Sequence, residues 1–233
     1  MSFFRYLFGS NSSSQPYQLQ IHNHGHRCYS EGLNDHEKRV VALLAARLDP
    51  DEYYIFNNVT IPSSHSITSQ IDHIVVSRFG IFVIESKDYR GWIFGSQHQN
   101  KWTQSITGKM KYQFQNPLHQ NIAHVFALKE HLPHLKNCVY NVVVFSSRCE
   151  FKTNMPVCVM QDHQLCDYIL QKTTPRLQTG DLLMTIGKLS MLCQTKQVTN
   201  AQHVANLDQL HRPTTSIPTP PSQTSPSSVA GRH

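Results

Sequence analysis

The chain has 233 residues, enough for one good-sized domain or two small ones, and it has no apolar run near the roughly 18–20 residues needed to span a bilayer. Its hydrophobic fraction of 39% is low for a globular protein, and polar ends account for much of that. Lys and Arg outnumber Asp and Glu by 21 to 15, giving a formal charge of +6, which favours a polyanionic partner such as nucleic acid or an acidic membrane surface.

Residues 1–30 read as a flexible segment. "MSFFRYLFG" is apolar for only a few residues and carries Arg5, too short for a secretory h-region; its "FFRYLF" offers at most a peripheral contact with a membrane or a partner. "HNHGHRC" sets His22, His24 and His26 on one face if extended, with Cys28 nearby. That permits a transition-metal site, whereas Gly25 and the polar flanks argue for a loop. Residues 33–48 read as a helix capped by Asn34 or Asp35, with Val40, Val41, Leu44 and Leu48 at helical spacing. Residues 53–60 read as a strand, 70–77 and 80–87 as a hairpin, and 91–95 as a short further strand. The stretch 100–115 mixes Lys101, Lys109 and Lys111 with Trp102, Tyr112 and Phe114. It is either a nucleic-acid contact or a surface hairpin whose aromatics pack inward. Asn116-Pro117 opens a helix to about Leu132. Residues 138–146 form a buried strand and 157–160 a shorter one, and helical stretches follow near 162–171 and 180–193.

Residues 196–233 read as a mostly disordered tail. Of residues 212–233, 14 of 22 are Pro, Ser or Thr, too little apolar surface to offset the entropy of ordering. The six cysteines lack any C-x-x-C spacing and read as free, mostly buried thiols in a reducing compartment, so the expected location is cytoplasmic. Helix, three strands, helix, strand describes an α/β domain over 31–195, a central mixed β-sheet flanked by helices.

Three charges interrupt the apolar hairpin. On a strand of period two, Ile81, Val83, Glu85 and Lys87 share one face, and with the turn near 77–80, Asp72 falls roughly opposite residues 85–87. Glu37 lies four, seven and eleven residues before Val41, Leu44 and Leu48, so it extends the helix's apolar stripe. Carboxylates that converge in a low-dielectric pocket repel one another and cost several kcal/mol if left uncompensated. A divalent cation resolves this, and Mg²⁺ favours carboxylate oxygens while keeping waters and phosphate oxygens as further ligands. A lysine beside it can position a water or offset charge on a phosphate. These parts suit phosphodiester hydrolysis.

The pattern resembles the restriction-endonuclease-like superfamily, with its PD-(D/E)xK site, and more closely the nuclease-related domain (NERD) family. The matching pieces are Gly32 with Glu37, "QIDHIVV" at 70–76, "GIFVIESKDYRGWIFG" at 80–95, Trp102, and "NPLHQN" at 116–121. The resemblance implies a restriction-endonuclease-like α-β-β-β-α-β core and a Mg²⁺-dependent (or Mn²⁺-dependent) nuclease acting on DNA. It implies that Asp72, Glu85 and the Ser86 carbonyl ligate the metal, that Lys87 is the catalytic lysine, that Glu37 supports the metal or its water, and that Gln120 orients water or substrate. His36 departs from the family, which usually has Gly directly before the helix Glu. The alternative expectation is a nucleic-acid-binding or adaptor module that keeps the fold without turnover.

Overall fold

The structure, a computed structural model, describes residues 32–193 apart from 63–67, 134 and 136. The expectations for the first 30 residues, including the His22, His24, His26 and Cys28 group, and for the tail from 196 fall outside the described residues. In chain order the elements are α1 (Asp35–Arg47), β1 (Tyr54–Ile61), β2 (Ser69–Ser77), β3 (Gly80–Lys87), β4 (Gly91–Phe94), β5 (Lys101–Ile106), β6 (Met110–Gln115), α2 (Pro117–His131), β7 (Val139–Phe145), β8 (Cys149–Phe151), β9 (Val159–Gln161) and α3 (Leu165–Leu170). A further helix, α4, occupies residues 179–193.

The main sheet has the order β1-β2-β3-β7-β9, antiparallel up to β3 and parallel beyond it. β3 is buried from Gly80 to Ser86, with only Lys87 partly exposed, which explains its nearly unbroken apolar sequence: helices cover both of its faces. On one face Ile74, Val76, Ile81 and Val83 pack with Leu128 of α2, with Leu132 that caps it, and with Ile186 and Leu189 of α4. On the other, Val75, Phe82, Ile84 and Val144 pack with Val40 and Leu44 of α1 and with Ile169 of α3.

Asn34 is the cap of α1, accepting from the backbone N–H of His36 and Glu37. The buried line of this helix is His36, Val40, Leu44 and Leu48. Glu37 and Val41 are half-buried beside that line, one position off the stripe expected from spacing. Asn116 caps α2, with Pro117 at the first helical position; the proline's missing N–H costs nothing where no intrahelical acceptor exists.

Residues 91–115 do not extend the main sheet. With β8 they form a second sheet, β6-β5-β4-β8, in which β4 pairs antiparallel with β5 and parallel with β8. Gly91 makes the turn into it at φ +78°, with the Ser105 carbonyl oxygen 2.5 Å from where a Cβ would sit, so only glycine fits there. The core between the two sheets holds Ile93, Trp102, Leu118 and Phe145, and Trp102 stacks on Phe145 with ring centroids 6.0 Å apart. The five described cysteines are free, four of them buried. No helix among the described residues is long and apolar enough to cross a membrane.

Candidate active site at the end of the central hairpin

The hairpin register brings the charges together. Its pairs run from Ser77↔Gly80 to His73↔Ile84, and continuing the register sets Asp72 opposite Glu85. Residues directly opposite in an antiparallel pair share a face, so the two carboxylates lie on the same side of the sheet, the side covered by α2. The pairing of β1 with β2 omits Asn58 and Asp72 between regular pairs on either side, and Asn58 has φ +53°. The ladder therefore opens at Asp72.

The Asp72 Oδ2 accepts from the Ser86 backbone N–H at 2.8 Å. Successive residues of a strand direct their peptide groups to opposite neighbours, and the Lys87 carbonyl accepts from Ser146 N–H beyond β7. The Ser86 carbonyl accordingly faces the Asp72 side. Lys87 Nζ lies 2.7 Å from Glu85 Oε1 and donates to Gln120 Oε1 at 3.0 Å. Asp72, Glu85, Ser86, Lys87 and Gln120 thus form one cluster.

His124 is the member that sequence reasoning missed. Its Nε2 is 3.3 Å from Glu85 Oε2, and its Nδ1 lies 2.6 Å from Ser69 Oγ. The available signal was spacing: Gln120 and His124 are four residues apart, hence on one face of α2. Asn121 anchors that helix against the sheet by donating to the backbone carbonyls of Val83 and Val142.

Glu37 is placed differently. Its carboxylate closes a capping box, accepting from the Asn34 backbone N–H at 3.1 Å and from the Asn34 side-chain amide. Its helix packs on the face opposite the carboxylate pair, so it reaches the cluster only as a charge near the sheet's end, where it adds to the proton affinity of Asp72. His36 is completely buried beside the same face. The bulk that departs from the family pattern is thus packed into the core.

Electrostatics separate the two carboxylates. Burial, and then the charge of Glu85, push the Asp72 pKa up to about 7. Burial would also raise Glu85, but the contacts from His124 and Lys87 outweigh it and hold that carboxyl below its ordinary range. One acid has Lys87 and His124 against it, and the other accepts only a backbone N–H. Among the described residues no three His, Cys, Asp or Glu side chains converge tightly enough to complete a metal site by themselves. What the cluster offers is two carboxylates and a carbonyl, hard oxygen donors that leave other coordination positions to water or substrate.

The model of the nuclease-related domain family matches residues 33–146. This segment belongs to the NERD family. It contains β1 to β7 with α1 and α2, hence every residue of the cluster, and the mixed sheet with helices on both faces agrees with a nuclease-like fold. A Bacillus anthracis protein described as uncharacterized is 40% identical over 115 residues, which cover 49% of this chain and 53% of that relative. The chain therefore spans about half the length of the curated relative it matches. No solved structure gives a significant match.

Proposed function

We propose that the NERD segment is a metal-dependent nuclease that hydrolyses phosphodiester bonds in DNA. The observation that carries this reading is the facing pair of Asp72 and Glu85 beside Lys87, a concentration of charge in a sheet whose strands hold no other Asp, Glu, Lys or Arg. Its donor chemistry fits Mg²⁺ or Mn²⁺: Asp72 retains a proton to about pH 7 because burial and then the Glu85 charge disfavour its carboxylate, and a bound divalent ion would favour its ionised form. Asp72, Glu85 and the Ser86 carbonyl would hold the ion. When bound, the ion supplies Lewis acidity, making a water more acidic and stabilising charge on a phosphate oxygen.

The chain's own groups do the rest. Glu85 and Gln120 hold the Lys87 ammonium at the mouth of the cluster, where it can offset charge developing on a phosphoryl oxygen or steady an attacking water. The Gln120 carbonyl oxygen that fixes Lys87 leaves the amide N–H₂ for water or substrate. His124 holds the second oxygen of Glu85 and so restricts the carboxylate's rotation. Glu37, kept at the start of α1 by Asn34, contributes only its charge, which adds to the proton affinity of Asp72.

Purified protein with Mg²⁺ is expected to cut plasmid or linear DNA. Asp72→Ala and Lys87→Ala should each abolish cutting while the far-UV circular dichroism stays native. Cutting that survives both substitutions discards the mechanism, and DNA binding with no product under any divalent ion replaces it with the non-catalytic binding module.

A further inference from the structure

Between Asp88 and Glu130 the chain has no acidic residue. Residues 89–129 carry Arg90, Lys101, Lys109, Lys111 and Lys129 against no Asp or Glu. This stretch builds three of the four strands of the second sheet and most of α2, so the bias has a definite place in the fold. Its inner face is the core around Trp102 and Phe114. The pairing Trp92↔Ser105↔Lys111 sets Trp92 and Lys111 together on the other face, and period-two alternation adds Lys101 to it. Trp92 is 41% exposed. Lys152, beyond β8, lies over its ring with Nζ 4.9 Å from the centroid. Glu150, the acid brought to this face by β8, is paired with Lys152.

A partly exposed tryptophan that shares a sheet face with three lysines has a chemistry of its own. The lysines attract phosphates, and the indole face offers a stacking platform to an unpaired base. A duplex keeps its bases stacked inside and has little use for such a platform. We propose that the outer face of the second sheet, centred on Trp92 with Lys101, Lys111 and Lys152, binds single-stranded nucleic acid. The proposal deepens the nuclease reading and rests on it for the role of the bound strand. Trp92 lies five chain steps beyond Lys87, at most about 18 Å of extended chain. The separation therefore spans only a few nucleotides, so a short strand held at Trp92 can extend to the carboxylate cluster.

The probe is fluorescein-labelled (dT)20 followed by anisotropy with the full chain in EDTA, where turnover plays no part. Trp92→Ala should weaken binding about tenfold, the scale of losing one stacked base. Replacing Lys101, Lys111 and Lys152 together by Ala should lower the slope of log K against log salt by about 2. Trp92→Phe keeps a stacking ring and should bind within about threefold of the wild type. It also removes one of the two tryptophans, so the quenching of intrinsic fluorescence by (dT)20 should disappear with it; this readout serves even if the alanine variant folds poorly. Absent binding by the wild type, unchanged affinity in Trp92→Ala, or tighter binding of a matched duplex overturns the proposal. A wild type that binds in EDTA yet never cuts with Mg²⁺ overturns the nuclease reading and leaves this surface standing.

Discussion

The two sheets handle charge in opposite ways. The main sheet sets half-buried Asp72 against buried Glu85 at one end of a hairpin, where burial and the charge of Glu85 make ionisation of Asp72 costly. The second sheet keeps carboxylates away almost entirely and leaves its lysines in water, where they are cheap to keep ionised. One region concentrates electrostatic stress at a point and the other spreads a weak positive field over a surface. Stress at a point suits chemistry, since a cation or a proton relieves it. A spread field suits holding a long anion.

The sharpest way to break this contrast is to remove a lysine from each sheet. Lys87→Ala should lower cleavage on the order of 10³-fold or more, the scale of losing a group aimed at developing charge. Lys111→Ala should change it only a few-fold, through binding, in the same steady-state plasmid assay. Equal effects would erase the distinction between the regions.

The two tryptophans test the second sheet's own inside and outside. Trp102→Ala should cost about 3–5 kcal/mol in urea unfolding, because that ring is fully buried, stacks on Phe145 and donates to the Ser96 carbonyl. Trp92→Ala should cost under about 1 kcal/mol.

Stability against pH probes the stress in the main sheet. Without metal, folded Asp72 holds its proton to about pH 7, whereas its ordinary pKa is 3.8. The folded state therefore binds more protons than the unfolded state between those values, and stability falls as pH rises from about 4 to 7. Glu85, held low, has the opposite sign and acts only below its ordinary 4.5. Urea midpoints in EDTA should be higher at pH 5 than at pH 8, by up to a few kcal/mol in unfolding free energy. Asp72→Asn should flatten that difference, and Mg²⁺ should raise the midpoint more at pH 8 than at pH 5. A flat wild-type profile contradicts the stressed pair.

The smallest expected effect is His124→Ala, about tenfold in kcat, from a Glu85 carboxylate free to rotate. His124→Gln, which keeps a donor near the same place, should recover part of it.

Much of the main sheet was legible because its signals are local. Two runs of β-branched and aromatic residues about a short turn define the hairpin, and Asn-Pro defines the start of α2. The hairpin register then follows, and with it the facing of Asp72 and Glu85. Glu37 shows where such reasoning stops. Helical spacing put it on the apolar stripe, but the line that packs passes through His36, and a capping box with Asn34 engages its carboxylate. A stripe read by spacing is uncertain by a residue, and one residue is 100° around a helix. His124 escaped notice for another reason: a histidine four residues after a glutamine is common, and only the packing of α2 against β3 gives it a carboxylate.

By itself, the sequence determined which strands pair locally, which helices are capped, and that acids and a lysine meet at the end of one hairpin, since each depends on neighbours a few residues apart. Only the tertiary structure decided that residues 91–115 leave the main sheet to form a second one, that Trp102 turns inward while Trp92 stays out, and that His124 reaches Glu85. Those outcomes depend on which surfaces distant segments bury against each other, and hydrophobic burial is non-directional: it selects among compact arrangements only once the whole chain is present.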